Sequence, residues 1–149
     1  MKKQKILVVF YSRSGHTKQI AKTISKKLNA DLDEIFELKS RTGIKGFISA
    51  GIDALLKRKS KIKFNKNTIN YDLVIIGTPV WAGNVSPAVR SYLSQNKFKR
   101  VAFFCSCRDS KNKAFKSMKK LSLEPIATAE FIEKVDNQNR LQEFIKNLK

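Results

Sequence analysis

Acidic residues are scarce in this chain: 12 Asp and Glu stand against 31 Lys and Arg over 149 residues, a formal net charge of +19. Histidine and tryptophan occur once each and cysteine twice. Cys105 and Cys107 are one residue apart, and a disulfide between them would close a strained ring, so the chain is not a stapled secreted scaffold. One histidine and two adjacent cysteines make no metal-ligand set, and no Ser/His/Asp arrangement with a supporting context points to hydrolase chemistry. No apolar run approaches the roughly 20 residues needed to span a bilayer, and the run Ile6 to Tyr11 is too short for a signal-peptide core. We therefore expect one domain over residues 1–149, cytoplasmic and without a membrane span.

The excess positive charge has two explanations. One is steering toward an acidic partner protein, an anionic membrane surface or nucleic acid. The other is a composition rich in Lys, Ile, Asn and Phe together, which pushes Lys onto solvated faces. The basic residues form no tail: 17 fall in residues 1–75 and 14 in 76–149. The densest cluster, Lys57 to Lys63, reads as a solvated helix end and linker.

Along the chain, Lys5 to Tyr11 is a nearly continuous apolar run, the pattern of a strand buried on both faces of a parallel sheet. After a polar loop, Thr17, Ile20, Ala21, Ile24 and Leu28 recur at helical spacing with lysines between them. Residues 32–38 read as a less buried strand. Ile44, Phe47, Ile48, Gly51, Ile52, Leu55 and Leu56 keep a helical rhythm despite Gly46 and Gly51. A third strand over Leu73–Gly77 precedes a loop from Thr78 to Val85, and Ser86-Pro87 caps a third helix. Val101–Cys105 predicts a fourth strand, 111–121 a helix, Pro125–Phe131 a weaker fifth strand, and Leu141, Phe144, Ile145 and Leu148 a terminal helix. Such alternation predicts an α/β fold with an open parallel sheet covered on both faces. Ligands of these sheets bind outside the carboxyl ends of the strands, which directs attention to loops 12–17, 78–85 and 105–110.

The first loop, Ser12-Arg13-Ser14-Gly15-His16-Thr17, offers three hydroxyls, a glycine and a helix N-terminus. Unpaired N–H groups and the positive end of the helix dipole suit an anion, and Gly15 lets the chain curl around it. No Gly-Lys-Ser/Thr ending and no set of three spaced glycines is present, which argues against a triphosphate or dinucleotide loop. The second loop, Thr78-Pro79-Val80-Trp81-Ala82-Gly83-Asn84, carries the single tryptophan, a ring suited to covering a planar ligand.

Ser-Arg-Ser-Gly-His-Thr after a strand resembles the flavodoxin pattern for the FMN phosphate, Ser/Thr-x-Thr/Ser-Gly-x-Thr. Thr-Pro-Val-Trp-Ala-Gly followed by Pro-Ala-Val-Arg-Ser is similar to the ring-covering loop of short members of that family. The resemblance covers nearly the whole chain. It implies a flavodoxin-like three-layer sandwich with a five-stranded parallel sheet of order 2-1-3-4-5, FMN as cofactor, and binding residues on all three loops. In the pattern, Arg13 and His16 occupy variable positions. Arg13 can place charge near the phosphate or the flavin edge, and His16 reads as a surface residue at a helix start, lacking an orienting partner in the sequence. The resemblance also implies that the Gly83 peptide flips on reduction, its carbonyl accepting a hydrogen bond from flavin N5.

The third loop, Cys105-Ser106-Cys107-Arg108-Asp109-Ser110, departs from the family pattern, because the tyrosine that often covers the other flavin face is missing. Arg108 can approach the ring, or that face is open to substrate. Cys107 reads either as a thiol near the flavin or as inert packing. The implied function is electron transfer through FMN between redox partner proteins, with an acidic docking face on the partner. The alternative is an NAD(P)H-dependent FMN or quinone reductase with a small quinone-type acceptor, which the missing tyrosine favours. A basic binding module without flavin, with nucleic acid among its partners, ranks last because both cofactor loops are intact.

Overall fold

The structure is a computed structural model that describes residues 2–38, 43–56 and 59–149. Five parallel strands form its centre: β1 (Ile6–Phe10), β2 (Asp31–Glu34), β5 (Leu73–Trp81), β7 (Val101–Cys107) and β8 (Thr128–Ile132). They lie in the order β2-β1-β5-β7-β8. With the short strands set aside this is the expected order 2-1-3-4-5. The short strands were not foreseen. β3 (Phe36–Glu37) pairs antiparallel with β4 (Ile62–Lys63), and β6 (Asn84–Val85) folds back on β5.

The apolar runs are continuous because both sheet faces are covered. Leu7, Val9, Val74, Ile76, Val101 and Phe103 face one way, toward α3 (Pro87–Gln95) and α4 (Ala114–Leu121). Val8, Phe10, Leu73, Ile75, Ala102 and Phe104 face the other, toward α1 (His16–Leu28) and α5 (Gln138–Asn147). Full burial of each Val, Leu, Ile or Phe among them contributes roughly 1.5–3 kcal/mol. Gly77 is required because the ring of Phe104, its partner on the neighbouring strand, lies across it: a Cβ there would lie 2.0 Å from Phe104 Cζ.

Local signals set the helix ends. Asn29 closes α1 at φ 49, where its N–H and that of Ala30 bond to Lys26 and Ser25, and Lys26 and Lys27 oppose the dipole at the same end. Ser86 accepts the Val89 N–H and Pro87 opens α3, as the sequence predicts.

Several details differ from expectation, among them the fifth strand, which begins at Thr128 and not at Pro125. The strand predicted over 32–38 is interrupted at Ile35, a buried residue whose N–H bonds to the Phe10 carbonyl. Residues 111–113 precede α4, and β5 and β7 run on into the segments expected to be loops. The helix predicted from Ile44 onward exists as α2 (Gly43–Leu55), but Ala50, Asp53 and Ala54 are its buried side chains, while Ile44, Phe47, Ile48 and Ile52 are exposed. The cluster Lys57 to Lys63 lies partly outside the described residues; its described part includes β4. Among the described residues no helix is long and apolar enough to cross a membrane, and no group of His, Cys, Asp or Glu could hold a metal ion.

Candidate functional site at the carboxyl end of the sheet

β1 delivers the first loop to the carboxyl edge of the sheet, and Gly15 turns it into α1 with φ 101, a conformation that disfavours a side chain. Ser12 Oγ accepts the Gly15 N–H at 3.0 Å, closing the loop behind that glycine. α1 then begins with no side-chain cap and no acidic residue in its first turn. Its leading N–H groups lack intrahelical acceptors and carry the positive end of the dipole, which is what an anion requires. Nothing lies within 4 Å of a Cβ built on Gly15, so the approach to this turn is open.

The loop is fixed from two sides. Thr17 is buried, and its hydroxyl lies 2.8 Å from that of Ser106 on β7. On the outer side Arg13 Nη2 donates to the Gly43 carbonyl at 3.3 Å, and its guanidinium sits 5.4 Å from the centre of the Phe47 ring. Arg13 therefore reaches toward α2 from the rim of the site.

The segment expected to be a loop over 78–85 is instead a strand extension and a hairpin. Val80 pairs with Val85 and Trp81 with Asn84 around Ala82 (φ 49) and Gly83 (φ 72). Two central residues with positive φ mark the type I′ turn that suits twisted hairpins. Trp81 is half-buried, its ring edge-on to Tyr11 at 5.5 Å. The Gly83 carbonyl accepts the Lys113 N–H at 2.7 Å, so in this conformation the group expected to face flavin N5 is held by the segment before α4.

β7 carries Cys105, Ser106 and Cys107 as strand residues, and Arg108 and Asp109 emerge exposed beyond it. Asp109 Oδ1 accepts the Lys111 N–H at 2.9 Å and Asn112 Oδ1 accepts that of Ala114 at 3.0 Å, which shapes the turn into α4. The hydrogen bond Cys105 shares with Cys107, and then burial, push the Cys105 thiol well above its ordinary range. It stays protonated and behaves as packing.

These segments enclose a cleft of about 500 Å³. That lies within the roughly 300–1,000 Å³ typical of small-molecule sites. The first loop contributes Arg13, Ser14, His16 and Thr17 to its wall, the hairpin Pro79, Val80, Trp81, Ala82 and Gly83, and the third segment Ser106, Cys107, Arg108 and Asp109. Five expected residues lie outside the wall. Ser12 and Gly15 form the turn behind it, Cys105 is in the core, and Thr78 and Asn84 support the hairpin. Thr78 Oγ1 accepts the Ser86 N–H at 3.1 Å, and Asn84 Oδ1 accepts from Val85 N–H at 2.8 Å and Arg90 Nη2 at 3.3 Å.

Sequence reasoning missed six wall residues: Phe47, Ala50 and Gly51 on α2, Lys111 and Asn112 past the third segment, and Glu133 after β8. Glu133 gives His16 the partner that the sequence did not reveal: His16 Nδ1 lies 3.9 Å from Glu133 Oε1 and 3.1 Å from Ser14 Oγ. The rule that points to strand carboxyl ends would have found Glu133, while Phe47 carries no such signal.

The sequence profile of the flavodoxin family matches residues 5–148. Among solved structures, a flavoprotein from Lactobacillus acidophilus NCFM in complex with FMN is 24% identical, with TM-score 0.76 over 95% of this chain and 99% of that one. Two-electron reduced Megasphaera elsdenii flavodoxin is 15% identical, with TM-score 0.60 over 95% of this chain and 96% of that one. An NAD(P)H dehydrogenase (quinone) from Cupriavidus metallidurans is 22% identical over 91 residues, which are 61% of this chain. The match spans 46% of that relative, about half its length.

Proposed function

The chain belongs to the flavodoxin family, and from that premise we propose that it binds FMN in the cleft and passes electrons between redox partner proteins. One observation carries the proposal: a helix N-terminus with no acid in its first turn and the single tryptophan face the same cavity at the carboxyl end of a parallel sheet. The leading N–H groups of α1 and the Ser14 hydroxyl would hold the phosphate. The ring would lie between the hairpin wall at Pro79–Gly83 and the Ser106–Asp109 segment. Bound FMN supplies one- and two-electron redox chemistry, and the protein binds, orients and tunes it. Arg13, Arg108 and Lys111 on the wall outnumber Asp109 and Glu133, an excess of positive charge that suits an anionic cofactor. A formal net charge of +19 fits a partner with an acidic docking face.

A second reading is an NAD(P)H-dependent FMN or quinone reductase. It is favoured by the absence of any aromatic side chain from the Ser106–Asn112 segment, which leaves that side of the cleft without a ring cover. The visible spectrum of FMN-reconstituted protein, followed anaerobically with NADPH and then with a quinone, separates the two. A carrier shows flavin absorbance and no direct NADPH oxidation. Rapid NADPH oxidation assigns the reductase, and failure to take up FMN removes both.

A further inference from the structure

α2 turns its apolar stripe away from the protein. Ile44, Phe47, Ile48, Ile52 and, one residue past the helix, Leu56 are 80%, 56%, 54%, 47% and 54% exposed. The stripe follows helical spacing and carries only positive charge along it, exposed Lys45 on the helix and Arg13 against the Phe47 ring, whereas isolated exposed hydrophobics are ordinary and patches of this kind mark contact surfaces. The described chain on either side is cationic: residues 43–56 and 59–70 carry Lys45, Lys59, Lys61, Lys63 and Lys66 against one acid, Asp53, which is buried. Phe47, Ala50 and Gly51 of the same helix form part of the cleft wall, so the stripe borders the mouth of the site.

We propose that this face docks the protein reversibly on an anionic lipid bilayer, with the α2 stripe lying in the interface and neighbouring Lys and Arg meeting the headgroups. A bilayer asks only for an apolar face and one sign of charge, and the segment supplies both without the mixed charges that fix a protein partner's register. A second copy is disfavoured because it would bring two surfaces of the same charge together. For its purpose the inference rests on the flavin reading: docking sets the cleft beside a bilayer that dissolves an apolar quinone-type acceptor.

The test is co-sedimentation of the full chain with vesicles of equal parts phosphatidylglycerol and phosphatidylcholine, against pure phosphatidylcholine. Partition onto the anionic vesicles is expected, weakening as salt is added. The triple variant Ile44→Ser/Ile48→Ser/Ile52→Ser leaves the cleft wall untouched and lowers partition by about tenfold or more, since each side chain removed loses its burial in lipid. Ile48→Ala, which raises helix propensity, gives a smaller loss in the same direction. Absence of anionic-vesicle binding overturns the proposal. So does binding that is unchanged in both variants, which is charge alone, or a wild-type dimer that the triple variant dissolves, which assigns the face to a second copy. FMN titration of the same samples reports on the flavin reading independently of the vesicle result.

Discussion

Replacing Gly77 by Ala puts a methyl group 2.0 Å from Phe104 Cζ and 2.4 and 2.6 Å from Cε2 and Cε1. Carbon atoms pack at about 3.5–4.0 Å, so the ring or the strand has to retreat by roughly 1.5 Å. Neither yields readily. Phe104 is fully buried and edge-on to Phe131 at 6.1 Å, while Gly77 is paired with Phe10 on one side and Phe104 on the other. Overpacking of this kind costs about 1–3 kcal/mol. For a chain of this size each kcal/mol lowers Tm by roughly 2–4 °C. Urea unfolding of Gly77→Ala, Phe104→Leu and the double variant measures the effect. The double variant should be more stable than the sum of the two single losses, because the smaller side chain makes room for the methyl. Gly77→Ala within about 0.5 kcal/mol of the parent, or strict additivity, refutes the reasoning.

Other outcomes follow from the same geometry. Thr17→Val leaves the Ser106 hydroxyl buried without its partner and should cost about 1–3 kcal/mol in urea unfolding, part of which Ser106→Ala in the same chain recovers. Gly83→Ala forces a side chain into φ +72 and should cost about 1–2 kcal/mol, with Gly83→Asn costing less. Asp72 is held below its ordinary carboxyl value of 3.8, first by the Lys5 N–H at 2.8 Å and then by the charge of Lys99. Its contribution to stability is therefore complete above that value and lost as pH falls through the lowered one, so Asp72→Asn should flatten the acid limb of a stability profile. Trp81→Ala should weaken FMN binding by up to about tenfold, read by flavin fluorescence titration, as loss of one aromatic contact.

The strands were legible because burial on both faces leaves uninterrupted apolar runs, and Leu7 to Phe10 and Leu73 to Ile76 need no tertiary information to be seen. Their ends were not. Thr78 and Pro79 have loop composition, yet both stay in the ladder opposite Cys105 and Ser106. The turn at Ala82-Gly83 lacks the Asn-Gly or Asp-Gly pair that usually announces a type I′ hairpin. For α2 the periodicity predicted a helix correctly but says only that one face is apolar. Which face packs depends on Ala50 and Ala54, whose small side chains are buried together with Asp53 against the rest of the fold. The phosphate loop was readable because its chemistry is local, whereas the pairing of His16 with Glu133 and the reach of Arg13 to Gly43 exist only once α1, β8 and α2 converge.

The central claim is that α1 and its loop hold a phosphate while the hairpin and third segment hold a ring. Parallel titrations of flavin-free protein with FMN and with riboflavin, which lacks only the phosphate, test it most directly. The account predicts saturable one-to-one FMN binding and riboflavin binding weaker by at least about tenfold, from the loss of charge-assisted hydrogen bonds at the helix N-terminus. Equal affinity for the two flavins, or no binding of FMN, would contradict it.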